Sequence, residues 1–361
     1  MKISVPSIDS LTGIKVLSLI LIFYQHSAMP TLPLGLGSRM CELLFVISGF
    51  LVGYNKKNRE FPCTYKTGFD YVVSKLIVVY PLHVIITLIR CILEYKSFST
   101  LTGWIKLFLS LLLVTSWSPH EDVFFCLNGS SWFLSALLFC YFLSPLFIRI
   151  MKTKHTKLFF IAVFLLRLLL DIIPEYTALR FLELHTHVNP FVRSLEFLMG
   201  MMLVPGYCNI KKKLMDFPEK QKIILFTFLE IASLCISILL MYIFCDIWPK
   251  TLYVLLFCFF VFIFSFNEGL LSAFFSLSVF KKFNTIQFEF YLSHTTFLTC
   301  CSYLLMRITY PDDSIIFTAI CTLLEFCILS VICYIYKKWF KPVFSKIMTS
   351  FTGRIYHSIE L

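Results

Sequence analysis

Lys15 and His26 stand eleven residues apart in an otherwise apolar stretch. At about 3.6 residues per turn, that spacing is three turns plus roughly 20°, so both side chains leave one helix face, roughly 16 Å apart along the axis. The face carries a fixed cation at one end and a titratable imidazole at the other. A hydroxyl is a poor nucleophile until its proton is taken, and an imidazole of unperturbed pKa about 6.5 suits that task. Glu42, in the next apolar run, is expected at the depth of His26, where it would hold the imidazole tautomer and raise its basicity. The competing structural reading has Lys15 snorkelling to an interface and His26 making a plain hydrogen bond.

Other ionisable residues also fall inside apolar runs, where a charge is costly and marks function by default. Arg167 and Asp171 are spaced i,i+4 and read as an intrahelical ion pair. Arg193 and Glu196 are spaced i,i+3, so pairing with each other competes with a ligand-binding role. His294 is expected in the same layer as Lys15, towards the inner side; His26, Glu42, Arg167, Asp171, Arg193 and Glu196 are expected in the outer layer.

The elements that must position these groups are membrane helices. Of 361 residues, 58% are apolar, 17% aromatic and 15% charged, with mean hydropathy +0.82. A soluble chain carries about 25% charge, so an ordinary cytoplasmic enzyme, a disordered tail and a nucleic-acid-binding module are excluded. The net charge of +11, from 32 Lys and Arg against 21 Asp and Glu, falls between apolar runs and reads as a topology signal rather than a nucleic-acid footprint. The 14 cysteines are scattered through apolar segments with no CxxC or Cys/His cluster. They read as buried thiols, with no disulfide framework and no metal site expected. The first thirty residues look like a signal peptide only superficially, because Lys15 and His26 interrupt the apolar run; a retained first span is expected.

A span needs about 20 apolar residues. Ten candidates qualify: 11–29, 39–54, 76–94, 131–150, 157–174, 189–206, 222–246, 251–267, 287–306 and 315–336. The run Trp104–Trp117 is fourteen residues long and is expected to be re-entrant or interfacial. Without it, the basic segments at Lys56–Lys75, Lys152–Lys157, Lys211–Lys222, Lys281–Lys282 and Lys337–Arg354 all fall on one side, as cytoplasmic loops should. The expected fold class is therefore all-α: a polytopic helical bundle of about ten crossings plus one short re-entrant or interfacial helix, in one domain over 1–361. Both termini would be cytoplasmic, the His120–Asp122 loop outside, and the setting a bacterial inner membrane. No internal repeat of the kind transporters often show is visible.

Six segments, in order, resemble those of the acyltransferase-3 family of integral-membrane acyltransferases. GIKVLSLILIFYQH (Gly13–His26) is similar to its signature of Arg, ten residues, then His. CELLFVISGFLVGY (Cys41–Tyr54) resembles its Phe-rich segment with Ser-Gly-Phe, and KLIVVYPLH (Lys75–His83) its basic cluster leading into Tyr-Pro. SSWFLSALLFCYFLSPLF (Ser130–Phe147), FVRSLEFLMGMML (Phe191–Leu203) and FEFYLSHTTFL (Phe288–Leu298) look like its Trp-Phe-Leu, Arg…Glu-Phe…Gly and Tyr-Leu-x-His segments. Three positions depart from the pattern. Lys15 stands where Arg is more usual, which keeps the charge and loses the bidentate fork. Val78 replaces a second Arg, and Leu137 stands where one branch carries Glu.

The resemblance implies transfer of an acyl group, usually acetyl, from cytoplasmic acyl-coenzyme A to a hydroxyl of a glycan or glycolipid, here a surface or capsular polysaccharide. On that footing His26 is the general base or an acyl-carrying nucleophile, with Lys15 and Glu42 beside it in the catalytic set. Lys15, Lys75 and His294 are assigned to the acetyl-CoA donor, and Lys56 and Lys57 are further candidates for its phosphates. Trp132, Arg193 and Glu196 are assigned to the acceptor. The partners implied are the glycan and membrane lipid, with no nucleic acid. Two rival readings remain, an exporter of polysaccharide or lipid-linked sugar and a structural subunit of a glycan-synthesis complex. Donor dependence separates the first from an enzyme, and the effect of replacing His26 separates the second.

Overall fold

The computed structural model describes residues 7–27, 36–59, 61–176, 183–243, 250–305 and 315–352, and no strand occurs among them. In chain order the helices are α1 (Asp9–His26), α2 (Leu36–Lys56), α3 (Tyr65–Leu93), α4 (Leu101–Leu111), α5 (Glu121–Phe124), α6 (Ser131–Met151), α7 (Thr156–Tyr176), α8 (Glu183–Val188), α9 (Pro190–Met202), α10 (Val204–Lys213), α11 (Glu219–Ile243), α12 (Thr251–Phe264), α13 (Leu270–Phe275), α14 (Ser278–Asn284), α15 (Gln287–Leu305), α16 (Ile315–Ile335) and α17 (Lys341–Thr352). A helix occupies each of the ten candidate spans. The span ends at 28–29, 244–246 and 306, and Arg354 in the tail, lie outside the described residues.

Among the described residues, five helical stretches are long and apolar enough to cross a membrane: Leu36–Lys56, Tyr65–Leu93, Ser131–Met151, Glu219–Ile243 and Ile315–Ser350. Others are shorter. α9 has 13 residues and α12 has 14, about 20 Å each against a hydrocarbon core of about 30 Å. α9 continues into α10 after the single residue Leu203, with Pro205 in the first turn of α10, a place where proline's missing N–H costs nothing.

α2 is the axis of the bundle. Every residue from Arg39 to Ile47 is buried, whereas α16 is largely exposed along its length. A helix that is apolar all round belongs in an interior. Glycines let α9 lie close against it: a Cβ at Gly49 would fall on the Phe197 carbonyl, and one at Gly200 on the Val46 carbonyl. Small residues on both helices thus bring the two backbones together.

The stretch Trp104–Trp117 is not one continuous helix. Its helix, α4, has 11 residues and ends where Leu113 turns into the left-handed region at φ 58°. The carbonyls left open at that end find side chains of α3: Tyr80 Oη donates to Leu111 O at 3.0 Å, and His83 Nε2 meets Ser110 O at 2.9 Å.

The start of α1 is enclosed by the segment between α12 and α15. Ser10 Oγ donates to Phe264 O at 2.6 Å, Ser10 N donates to Asn267 Oδ1 at 3.0 Å, and Lys281 pairs with Asp9 at 2.6 Å. A Cβ at Gly13 would meet the Phe275 backbone. α13 and α14 therefore fill the space beside the first turns of α1, and α15 begins only at the level of Lys15.

Candidate functional site

His26 is the last residue of α1. Its Nδ1 lies 2.8 Å from the Ile22 carbonyl one turn back. A carbonyl only accepts, so in the neutral ring Nδ1 carries the proton and Nε2 keeps its lone pair. The ring opens into a cavity of about 510 Å³, walled by Gln25, Cys41, Ser130, Trp132, His187, Tyr291, His294 and Thr295 among others. His294, on α15, repeats the arrangement: its Nδ1 is 2.5 Å from Tyr291 O, and its buried Nε2 has no protein partner. The two imidazoles meet edge to face with centroids 5.0 Å apart.

This placement corrects the depth expected of His294. It lies beside His26 and not in the Lys15 layer, because α13 and α14 occupy the space alongside the first turns of α1 and α15 starts correspondingly deeper. Gln287, its first residue, is the one at the depth of Lys15.

Lys15 lines a second cavity of about 260 Å³, together with Ser48, Phe133, Tyr141, Asn284, Gln287 and Tyr291. Among the described residues no carboxylate pairs with it. Tyr291 belongs to the walls of both cavities.

Glu42 does not orient His26. It is fully buried and outside the lining of the His26 cavity, with Arg39 at 3.1 Å and Arg193 at 3.8 Å. Arg193 Nη1 donates to both Glu196 oxygens at 2.6 Å, and Arg167 reaches Glu196 at 3.2 Å while also pairing with Asp171. Asp171 in turn accepts from Thr251 N and Oγ1, each at 2.6 Å. Three guanidiniums thus meet three carboxylates in a neutral cluster joining α2, α7, α9 and α12. The i,i+4 pair expected of Arg167 and Asp171 is present, and so is the i,i+3 pair of Arg193 and Glu196. These groups pair with one another, and neither Arg193 nor Glu196, assigned above to the acceptor, lines either cavity. Arg193 touches the His26 cavity only through its wall: it donates from Nε to His187 O at 2.6 Å and lies 3.1 Å from His187 Nδ1.

Trp132 is in the wall of the His26 cavity, with its ring 4.9 Å from that of His187. Lys75 lines neither cavity. Its Nζ sits 5.1 Å from the Tyr71 centroid, with Lys56 at 5.3 Å from the same ring. Tyr71 packs 5.2 Å from Tyr141, which lines the Lys15 cavity. Lys57 over Tyr54 at 4.0 Å and Lys211 over Tyr207 at 5.3 Å extend this layer of cations on aromatic rings.

Sequence reasoning missed Tyr291, His187, Ser130 and Thr295. Tyr291 was within reach, three residues before His294 in a quoted segment. His187 lies in a short helix with no periodic pattern to single it out. Among the described residues no group of three His, Cys, Asp or Glu side chains is placed to hold a metal.

The family model described as "Acyltransferase domain" (acyltransferase-3) matches residues 8–347 of the chain. The chain belongs to the acyltransferase-3 family. It is also similar to the acyltransferase MdmB of Streptomyces mycarofaciens, at 27% identity over 164 residues. That match covers 41% of this chain and 41% of the relative. No solved structure matches significantly.

Proposed function

We propose that this membrane acyltransferase moves an acetyl group from cytoplasmic acetyl-CoA to a hydroxyl of a surface polysaccharide or lipid-linked glycan. The observation that supports this most is the pairing of two unsatisfied groups on one helix face. Lys15 is a cation with no carboxylate beside it, and His26 is an imidazole with a free lone pair; each opens into its own cavity, roughly 16 Å apart along the axis. The charges of Arg39, Glu42, Arg167, Asp171, Arg193 and Glu196, by contrast, are matched by one another.

In this reading the donor enters from the side of the basic loops. Lys56, Lys57, Lys75 and Lys211 meet its nucleotide phosphates, Lys15 meets the polar groups of the pantetheine arm, and the thioester is carried towards His26. His26 Nε2 takes the proton of the acceptor hydroxyl as its oxygen attacks the thioester carbonyl. The carbon–sulfur bond then breaks, and the departing thiolate recovers the proton from the imidazolium. His294 lies on the acceptor side, where its Nε2 accepts a hydrogen bond from a neighbouring hydroxyl. Trp132 offers an apolar ring to the sugar. The chain crosses a bacterial inner membrane ten times with both ends in the cytoplasm.

The test is mass analysis of surface glycans with the gene intact, deleted, and carrying His26→Ala. Loss of an acetyl-sized mass in both altered strains, at unchanged glycan amount and unchanged mutant protein level, is the expected result. Glycan held inside the deletion strain with its acylation intact would replace this reading with an exporter.

A further inference from the structure

The His26 and Lys15 cavities share one wall residue. Tyr291 faces both, its ring 4.9 Å from Phe133 on the Lys15 side and 5.5 Å from His294 on the His26 side. Tyr291 and Phe133 are both buried, at 6% and 7% exposure, so two packed rings divide the donor space from the acceptor space.

We infer that Tyr291 is the gate between the two cavities and sets the length of acyl group the enzyme transfers. The inference rests on the acyl-transfer reading. A thioester arriving beside Lys15 has to pass the level of Tyr291 before its carbonyl reaches His26 Nε2. The gate is held lightly. Ring contacts with Phe133 and His294 hold the side chain, in contrast to the multiply bonded carboxylates of the arginine cluster. An opening made by turning one ring admits a narrow arm ending in two carbons; each added methylene has to fit against Tyr291 and Phe133. In a closed apolar passage a single methylene is worth about tenfold or more in discrimination. Between turnovers the same ring keeps water on the His26 side from the stored thioester.

The experiment uses the full-length protein in membranes with acetyl-, butyryl- and hexanoyl-CoA, measuring acyl transfer to acceptor and thioester hydrolysis without acceptor. Wild type is expected to favour acetyl. Tyr291→Ala should raise the hexanoyl-to-acetyl transfer ratio by about tenfold or more and increase hydrolysis of acetyl-CoA without acceptor. Tyr291→Phe keeps the ring and should keep both the length preference and the low hydrolysis. Phe133→Leu, which trims the second ring of the passage, should also raise the hexanoyl-to-acetyl ratio and carries the test if the alanine variant at 291 does not accumulate. An unchanged length preference in Tyr291→Ala, or in Phe133→Leu where the alanine variant does not accumulate, overturns the gate. Absence of transfer from any acyl-CoA by wild type overturns the acyl-transfer reading itself, a separate result.

Discussion

At the level of single residues, the helical repeat carried the reading of Lys15 and His26, because two positions on one continuous helix are related by geometry alone. His294 was legible as a residue and illegible in depth, since its level is set by α13 and α14 packing beside α1, which no local pattern records. Its position against His26 gives a prediction. His294→Ala should raise KM for the acceptor and leave KM for acyl-CoA unchanged, measured by varying each substrate in membranes; the opposite split would return His294 to the donor. His26→Ala should lower kcat by about 10²–10⁴-fold, the usual contribution of a general base, with the protein still accumulating. Glu42 behaves differently. Fully buried between Arg39 and Arg193, it holds two guanidiniums, and Glu42→Gln leaves buried positive charge uncompensated. Breaking such a pair costs on the order of 3–5 kcal/mol, so the variant should melt far below wild type in detergent while the surviving folded fraction keeps its kcat. A catalytic Glu42 would show the reverse.

At the level of elements, all-helical character and the positions of the long apolar helices were legible, because long apolar runs between basic segments have few alternatives; the short helices α5, α8, α13, α14 and α17 were not. What each helix packs against was not. α9 reads as a span by hydropathy, yet all of its residues but Phe191 are buried: its apolar side chains meet α2, α6 and α7 rather than lipid. Gly49 and Gly200 are where that contact is closest. Gly49→Ala should lower the melting temperature and the yield, because its Cβ has to displace the Phe197 backbone. Gly206, on α10, is the control. Its nearest neighbour across the space a Cβ would take is the Phe262 ring at 3.6 Å, an ordinary contact, so Gly206→Ala should hold or raise stability by about 0.4–1 kcal/mol through the unfolded chain. The paired measurement separates a steric requirement from a general intolerance of change at helix glycines.

At the level of the whole molecule, the +11 charge and the short helices bear on the same question, the number of crossings. A helix enclosed by others need not reach both surfaces by itself. α9 and α10 together run from Pro190 to Lys213 with one intervening residue, about 36 Å at helical rise, which is enough to cross as one broken element. α4, at 11 residues, has no such continuation: the left-handed turn at Leu113 and the bonds from Tyr80 and His83 end it within the protein. Discounting α4 alone keeps Lys56–Lys75, Lys152–Lys157, Lys211–Lys222, Lys281–Lys282 and Lys337–Lys346 on one side, the side the donor would come from. Epitope tags placed singly after Lys57, at His120, after Lys154 and after Asp216 test this in intact cells, without disturbing the free cysteines. Only the His120 tag should bind antibody before permeabilisation. If instead the tags after Lys154 and Asp216 label and the His120 tag does not, α4 crosses, the later basic loops lie outside, and the donor route from Lys75 past Lys15 to His26 loses its cytoplasmic entrance.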